Sequence, residues 1–529
     1  MCLKAIYLYI CVYNAENQNM NTFNTTNPNH YSYITEVLEF HILGGISIAG
    51  LDRMRVTLKI HKVNSPFHAL RHTIDLYNAN ALEKFVRKIA EFLEVGTSII
   101  RRASQELIHK LETYRLELLE IENSDEVFEY ELSQKERRQA MTILRSDKLM
   151  ERTNKLIGAS GVIGETDNRL LMYLIFTSRK MQNPLHCISF GSSGVGKTHL
   201  QSKVASLIPD EDKVEMTVLS ANAFYYYKRN ELKHKLILIE DMDGAEEVLY
   251  PLRELQTKKR ITKSVVQKGT GGEGTTKSLT VEGPICVAGC TTQESIYEDN
   301  SNRSFLLYID ESEEQDERIM SYQRRASAGK VNYDDQSEAQ KILQNVQRLL
   351  KPVRIINPYA EHLILPKSVF KPRRSNAHYL QFIEAVTFYC QHQRESQFDV
   401  HTGEEYIETS LEDIKIANAL IKDTLLRKSD SLNGATRNYL ENLKTHLSKK
   451  QNTVFTNQEI RRELRIKEST LRRYHQLLLQ EGYIKRRTDI QKESFCYEIV
   501  DVDEFKNLEK TIDMALNMCI EKLQNEAKV

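Results

Sequence analysis

The sequence predicts an α/β core built around a phosphate-binding loop, with a small α+β domain before it and a helical lid and a winged helix after it. Three observations predict this. The first is Leu185 to Leu200, LHCISFGSSGVGKTHL, where a short apolar run meets a loop that fits G-x-x-x-x-G-K-[ST] and then opens a helical pattern. The second is a later apolar run, KLILIE, which ends in Glu240, Asp241 and Asp243. The third is a helix–turn–helix near the C-terminus, TNQEIRREL and ESTLRRYHQLLLQEGYI, followed by the basic hairpin segments YIKRRTD and SFCYEIV.

In the loop, Gly191, Ser192, Ser193, Gly194, Val195 and Gly196 precede Lys197 and Thr198. The glycines let successive N–H groups face one anion, and the helix that follows adds its partial positive charge. Lys197 is expected to reach the β- and γ-phosphates and the Thr198 hydroxyl to ligate Mg²⁺, so ATP with Mg²⁺ is the expected cofactor pair. An apolar strand with acids at its carboxyl end supplies the other half of such a site. One acid holds the metal and the next polarises the attacking water.

Composition narrows the rest. The 529 residues are 40% apolar and 28% charged, an ordinary globular mixture. The 73 Lys and Arg balance 73 Asp and Glu, so contact with nucleic acid must come from local patches and not from a global field. The 8 cysteines include no C-x-x-C, which argues against a zinc ribbon and a secreted disulfide framework and makes a reducing cytoplasm the expected compartment. No apolar run is long enough to span a membrane, and no membrane partner is expected. The opening MCLKAIYLYICVY lacks a small-residue cleavage site.

In chain order, residues 1–30, rich in Asn, are expected to be a disordered leader. Residues 31–150 are expected to be the α+β domain. VLEFHIL, MRVTLKIHKV and HTIDLY alternate apolar and polar and predict three or four strands. ANALEKFVRKIAEFLEV and SIIRRASQELIHKLETYRLELLE then predict helices, the second so charged that it is expected to be a connector. The His and Asp residues of this region look isolated and structural.

The core is expected over 151–330. After a helix, AEEVLYPLRELQT, the segments ITKSVVQK and TKSLTVEG flank a glycine-rich turn and predict a hairpin carrying Lys258, Lys259, Arg260, Lys263, Lys268 and Lys277 against Glu273. Such a charge pattern suits a solvated surface or a loop facing DNA phosphates. The buried strand PICVAGCTT ends in Thr291 and Thr292, placed to sense a γ-phosphate, and its Cys286 and Cys290 are expected to be core thiols. Arg303, just before the last strand, suits a finger that reaches a neighbouring subunit's phosphate. A helical lid is expected over 331–432. There Arg373 and Arg374 open a long helix, from which Arg374 either swings toward nucleotide or serves as a capping or surface residue. The winged helix, 433–503, places Arg472 and Arg473 on the second helix and Lys485, Arg486 and Arg487 on the hairpin. That module reads DNA in some proteins and docks proteins in others. Residues 504–529 predict one amphipathic helix.

With these residues in place, the chain resembles AAA+ ATPases of the helicase clade. GSSGVGKT, LILIEDMD, KGTGGEGTTK, AGCTT, SNRSF and KPRRSN follow the motif order of minichromosome-maintenance helicases over roughly residues 155–390. EFHILGGI, RVTLKI, HTIDLYN and the C-terminal helices are similar to the helicase-like half of primase proteins of bacterial mobile elements. The resemblance implies a ring-forming homo-oligomer that couples ATP hydrolysis to movement on single-stranded and duplex DNA during replication of a mobile element. The Cys/His set of that family's zinc module is missing, which leaves primer synthesis to a partner primase. The family's Asp-Glu pair is reversed here, so Glu240 falls at the metal position and Asp241 at the water-polarising one. Its sensor Asn is replaced by Thr291 or Thr292. An ATP-switched DNA-binding regulator that does not unwind is the alternative.

Overall fold

The computed structural model describes residues 22–47, 51–123, 130–217, 220, 222–243, 246–268, 274–292, 303–366, 369, 372–451, 453–487 and 495–526. The chain divides into two compact units, Met1–Phe128 and Glu129–Val529.

The first unit is a five-stranded antiparallel meander. Strands β1 (Thr22–Asn27), β2 (His30–Ile34), β3 (Leu38–Leu43), β4 (Arg55–Lys62) and β5 (Ser65–Asp75) lie in sheet order as in sequence. Alternation along β3 and β4 buries Phe40, Ile42, Leu58 and Ile60 on one face. Helix α1 (Ala79–Leu93), capped by the Asn78 side chain, covers that face with Phe85, Ile89 and Leu93, and helix α2 (Thr97–Asn123) adds Leu107 and Leu111. Two expectations are corrected. β1 lies inside the expected disordered leader, because it pairs with β2 along Phe23↔Tyr33 and Asn24↔Ser32. α2 is no mere connector, since Ile100, Ala103, Leu107, Leu111 and Tyr114 recur at helical spacing and are buried against the sheet.

The second unit opens with α3 (Gln134–Leu144), whose capping box joins Ser133 and Glu136, then α4 (Leu149–Ala159) and α5 (Thr166–Thr177). Its central sheet follows: β6 (Cys187–Phe190), α6 (Lys197–Ala205), β7 (Lys213–Met216), β8 (Lys235–Ile239), α7 (Glu246–Lys258), the hairpin β9 (Arg260–Lys268) and β10 (Gly274–Glu282), then β11 (Ile285–Thr291) and β12 (Phe305–Tyr308). The sheet order is β12-β6-β11-β8-β7, with every pair parallel. Strands β6 and β11 are buried throughout, as parallel strands covered on both faces must be.

Helices α8 (Glu313–Ser327) and α9 (Tyr333–Leu349) come next. α9 returns to α3, where Lys341 pairs with Glu136 at 3.0 Å, and to the core, where Gln347 accepts from the buried Arg179 at 2.6 Å. The expected boundaries at 150 and 331 therefore fall in the wrong places: α3 and α9 belong with the central sheet. Beyond them, β13 (Arg354–Ile356), β14 (Gln397–Phe398) and β15 (Glu405–Glu408) form a small sheet beside α10 (Pro372–Tyr389) and α11 (Leu411–Ser429), so the region expected to be a helical lid is not wholly helical.

The C-terminal part runs α12 (Gly434–Lys449), β16 (Val454–Thr456), α13 (Asn457–Glu463), α14 (Glu468–Gln480), β17 (Ile484–Arg487) and β18 (Cys496–Ile499), with its own small core around Phe455, Leu471 and Tyr497. Helix α15 (Glu504–Glu526) then folds back on α11. Ile512, Leu516 and Leu523 enter the core, and Lys422 pairs with Asp513 at 2.6 Å. A buried cluster fixes this return: Arg437 binds Asp430 at 2.6 Å, and Lys444 binds Glu504 at 2.7 Å.

Candidate nucleotide-binding site

The glycine loop leaves the carboxyl end of β6 and runs into α6. Gly196, the residue before the helix, has φ +95°, a conformation L side chains rarely adopt. This bend leads the chain from the loop directly into α6, whose N-terminal partial positive charge favours an anion. Lys197 is 8% exposed, and its ammonium donates to the carbonyls of Gly191 at 2.8 Å and Ser192 at 2.7 Å. The charge is thus held over the loop's mouth by groups that a phosphate oxygen can replace.

Strands β8 and β11 end beside the loop. Glu240, Asp241 and Asp243 follow β8, and Met242 between them is buried beneath β11. Gly289 makes that possible, because a Cβ there would stand 2.3 Å from the Met242 sulfur. Asp243 accepts from the Thr291 hydroxyl, from the Thr292 amide at 3.2 Å and from the Thr292 hydroxyl at 2.7 Å. Partial burial opposes its ionisation, yet these hydrogen bonds and the Lys197 charge hold its carboxyl below the usual range. Beneath them lies Cys290. Burial pushes its thiol up to about 12 and the nearby Asp241 and Glu240 add to this, against the pull of Thr198 and Lys197. Gln201 links the layers, donating to Ile239 O at 3.2 Å and accepting from Cys290 at 3.4 Å.

The structure thus brings together the loop, Lys197, Thr198, Glu240, Asp241, Asp243, Thr291 and Thr292 at the carboxyl ends of parallel strands, where ligands of open α/β sheets bind. Sequence reasoning missed Glu311. Its carboxylate accepts from the Ser192 N–H at 3.0 Å and from the Ser192 hydroxyl at 3.1 Å. An anion already seated on the loop's donors stands in for a phosphate oxygen, so the donor set fits an anionic ligand. No sequence signal marks Glu311, which follows the last strand of the sheet. Replacing it with alanine should raise nucleotide affinity about tenfold, as expected for one charge-assisted hydrogen bond of ~1.5 kcal/mol. A fluorescent-nucleotide titration measures this, and unchanged affinity would mean that the carboxylate does not compete.

Two arginines lie elsewhere. β12 runs parallel to β6 with Phe305 beside Cys187 and Tyr308 beside Phe190, so Arg303 precedes the amino end of the sheet while the loop follows its carboxyl end. The strand between them spans on the order of 10 Å. Arg374 is exposed on α10, one turn before His378, whose ring stacks on Phe305 at 5.2 Å. Arg374, expected among the nucleotide-contacting residues, thus lies near His378 at the amino end of β12 and not beside its own chain's loop. Burial pushes His186 down to about 3 with Arg303 adding to it. Burial likewise takes His378 to about 3, followed by Lys428, His186 and Arg374. Both histidines are neutral among these cations.

The basic residues expected to touch DNA are dispersed. Lys263 donates to Asn222 at 2.6 Å and lies 5.4 Å from the centre of the Tyr225 ring, so it is tied to its own unit. Lys268 and Lys277 fall on β9 and β10, but their side chains lie outside the described residues. Arg472 pairs with Glu468 at 2.9 Å, Arg473 sits 5.6 Å from the Tyr474 ring and Arg486 4.9 Å from the Phe495 ring, all three exposed. Lys485 and Arg487 share Glu498 at 3.3 and 3.0 Å.

A protein-family model described as the MTBMA_p00010 P-loop domain matches residues 134–352. Residues 134–352 form a P-loop domain. The match begins at α3 and ends after α9. Among solved structures, the chain is similar to a full-length MCM homologue from Methanopyrus kandleri, at 12% identity and TM-score 0.38, over 58% of this chain and 64% of that one. The chain therefore spans less than two thirds of that homologue's length. It is also similar to Drosophila ORC bound to DNA, at 11% identity and TM-score 0.22, over 73% and 95% of the two chains. A third likeness is to the C-terminal region of NrS-1 in its apo A form, at 12% identity and TM-score 0.21, over 71% and 78%. No curated protein matches the sequence.

Proposed function

We propose that the chain is an ATPase of the AAA+ type that acts on DNA as a ring-forming helicase. The observation that carries the nucleotide part is the convergence of Lys197, Thr198, three acids and two threonines on one end of a parallel sheet. Thr198 and Glu240 would hold Mg²⁺, which when bound spreads and neutralises phosphate charge. Asp241 would orient and polarise the attacking water. Asp243, clamped between Thr291 and Thr292, would tie the acids to the threonines so that both respond to the same phosphate. The amino-end position of Arg303 and Arg374, away from their own loop, supports a role against a neighbouring subunit's nucleotide.

The DNA part rests on less. The order α12, β16, α13, α14, β17, β18 supports a winged helix, with Arg472 and Arg473 on the helix that would enter a groove and Arg486 on the wing. The β9–β10 hairpin stands beside the nucleotide site in sequence and would couple phosphate contacts to hydrolysis. Action in a mobile element's replication, beside a separate primase, follows from the resemblance alone.

The deciding experiment compares ATP turnover with and without single-stranded DNA and measures unwinding of a forked duplex. Stimulated turnover with strand displacement is expected. Neutralising Lys263, Lys268 and Lys277 together should weaken binding on every sequence and flatten its salt dependence by about 0.9 in logarithmic slope for each phosphate no longer neutralised. ATP turnover that ignores DNA would move the chain to the class of ATP-switched regulators.

A further inference from the structure

The histidines of the first unit look isolated in sequence, but the meander gathers them. Glu39 and His41 sit two residues apart on β3 and so share a face. His61 on β4 is paired directly opposite Glu39. This face is the one turned away from Phe40 and Ile42, which are buried toward the helices. His41 Nε2 and His61 Nε2 are 3.1 Å apart, His41 Nε2 and a Glu39 oxygen 3.2 Å, and His61 Nε2 and the other Glu39 oxygen 3.8 Å. The three side chains offer ligand atoms that all lie within 4.8 Å of one another, the one such group of His, Cys, Asp and Glu among the described residues.

We propose that Glu39, His41 and His61 bind a divalent transition-metal ion of the zinc class. The spacing is what a tetrahedral ion demands: with metal–ligand bonds of about 2.0–2.1 Å, two ligand atoms stand about 3.4 Å apart. The rings are also prepared. His61 Nδ1 lies 3.0 Å from the Lys62 carbonyl, which only accepts, so Nδ1 carries the hydrogen and Nε2 presents its lone pair to the cluster. His41 is held flat against His30, with ring centres 5.1 Å apart and planes 11° apart. Its Nδ1 has no hydrogen-bond partner, so no contact there fixes its tautomer against ligation through Nε2. Without a cation, one hydrogen on His41 Nε2 must serve both the His61 lone pair and the Glu39 carboxylate. A metal ion satisfies all three acceptors at once.

The imidazole pair selects for zinc, copper, nickel or cobalt over magnesium. The side chain of His61 is 3% exposed, whereas those of His41 and Glu39 are 13% and 22% exposed. One side of the site therefore reaches solvent, leaving a fourth position for water, as in sites with three protein ligands.

The test titrates Zn²⁺ and Co²⁺ into the full chain after chelation. One equivalent should bind with visible Co²⁺ absorption of a low-coordinate site, unaffected by excess Mg²⁺, and Zn²⁺ should raise a melting transition. His41→Gln and Glu39→Gln, on partly exposed side chains, should each weaken binding at least tenfold and remove the Zn²⁺-dependent rise. His41→Gln/His61→Gln should abolish the Co²⁺ spectrum. The metal-free melting temperatures of the single variants verify that they fold, so the outcome does not depend on replacing the buried His61. No uptake from excess Zn²⁺, or the same Co²⁺ affinity in wild type and His41→Gln, overturns the proposal.

Discussion

Lys197→Ala lowers ATP hydrolysis at least ~100-fold, equivalent to ~2.7 kcal/mol of transition-state stabilisation. The side chain directs its charge to two loop carbonyls, Gly191 O and Ser192 O, and to the Asp243 carboxyl nearby. All of these belong to the mouth of the site. The layers beneath, Val204 and Leu207 with β6 and β11, make no use of the ammonium. The melting temperature should therefore stay within a few degrees of wild type while turnover collapses. Steady-state hydrolysis and a thermal melt of the same preparation measure both. Undiminished turnover would remove the glycine loop from the chemistry.

Asp241→Asn keeps nucleotide affinity and loses hydrolysis by about 100- to 1000-fold, because the amide fills the same space and cannot polarise water. Glu240→Gln instead weakens the Mg²⁺-dependent part of binding. Both side chains are exposed at the carboxyl end of β8, while Asp243 behind them is bound by Thr291 and Thr292. Paired measurements of affinity with and without Mg²⁺ and of single-turnover rate separate the roles. The opposite pattern would assign the metal to Asp241 and the water to Glu240. A loss of both functions only in Asp243→Asn would pass the water to that third acid.

The parts of the candidate nucleotide site are legible in the sequence by itself. G-x-x-x-x-G-K-T between an apolar run and a helical pattern, and KLILIE ending in acids, are local signals, because each is written in consecutive residues whose backbone conformation they fix. The apolar runs of β6, β8 and β11 likewise announced strands buried on both faces. What failed had a different cause. α2 looked like an exposed connector because its charges outnumber its apolar stripe, and only the sheet beneath shows that Ile100, Leu107 and Leu111 are spoken for. The boundary at 150 failed because α3 finds its partner in α9, a helix far along the chain, through Glu136 and Lys341.

The tertiary structure alone decided the contacts between distant residues. Glu311 reaches Ser192, His378 stacks on Phe305 at the amino end of the sheet, and Lys263 is held by Asn222. Glu39, His41 and His61 meet only because β3 and β4 pair in one register. A slip of one residue would turn His61 to the opposite face. Sequence spacing records the conformation of neighbours, whereas register, helix docking and the direction of long side chains are set by the whole core. That is why the loop could be read from its residues and the three-ligand cluster could not.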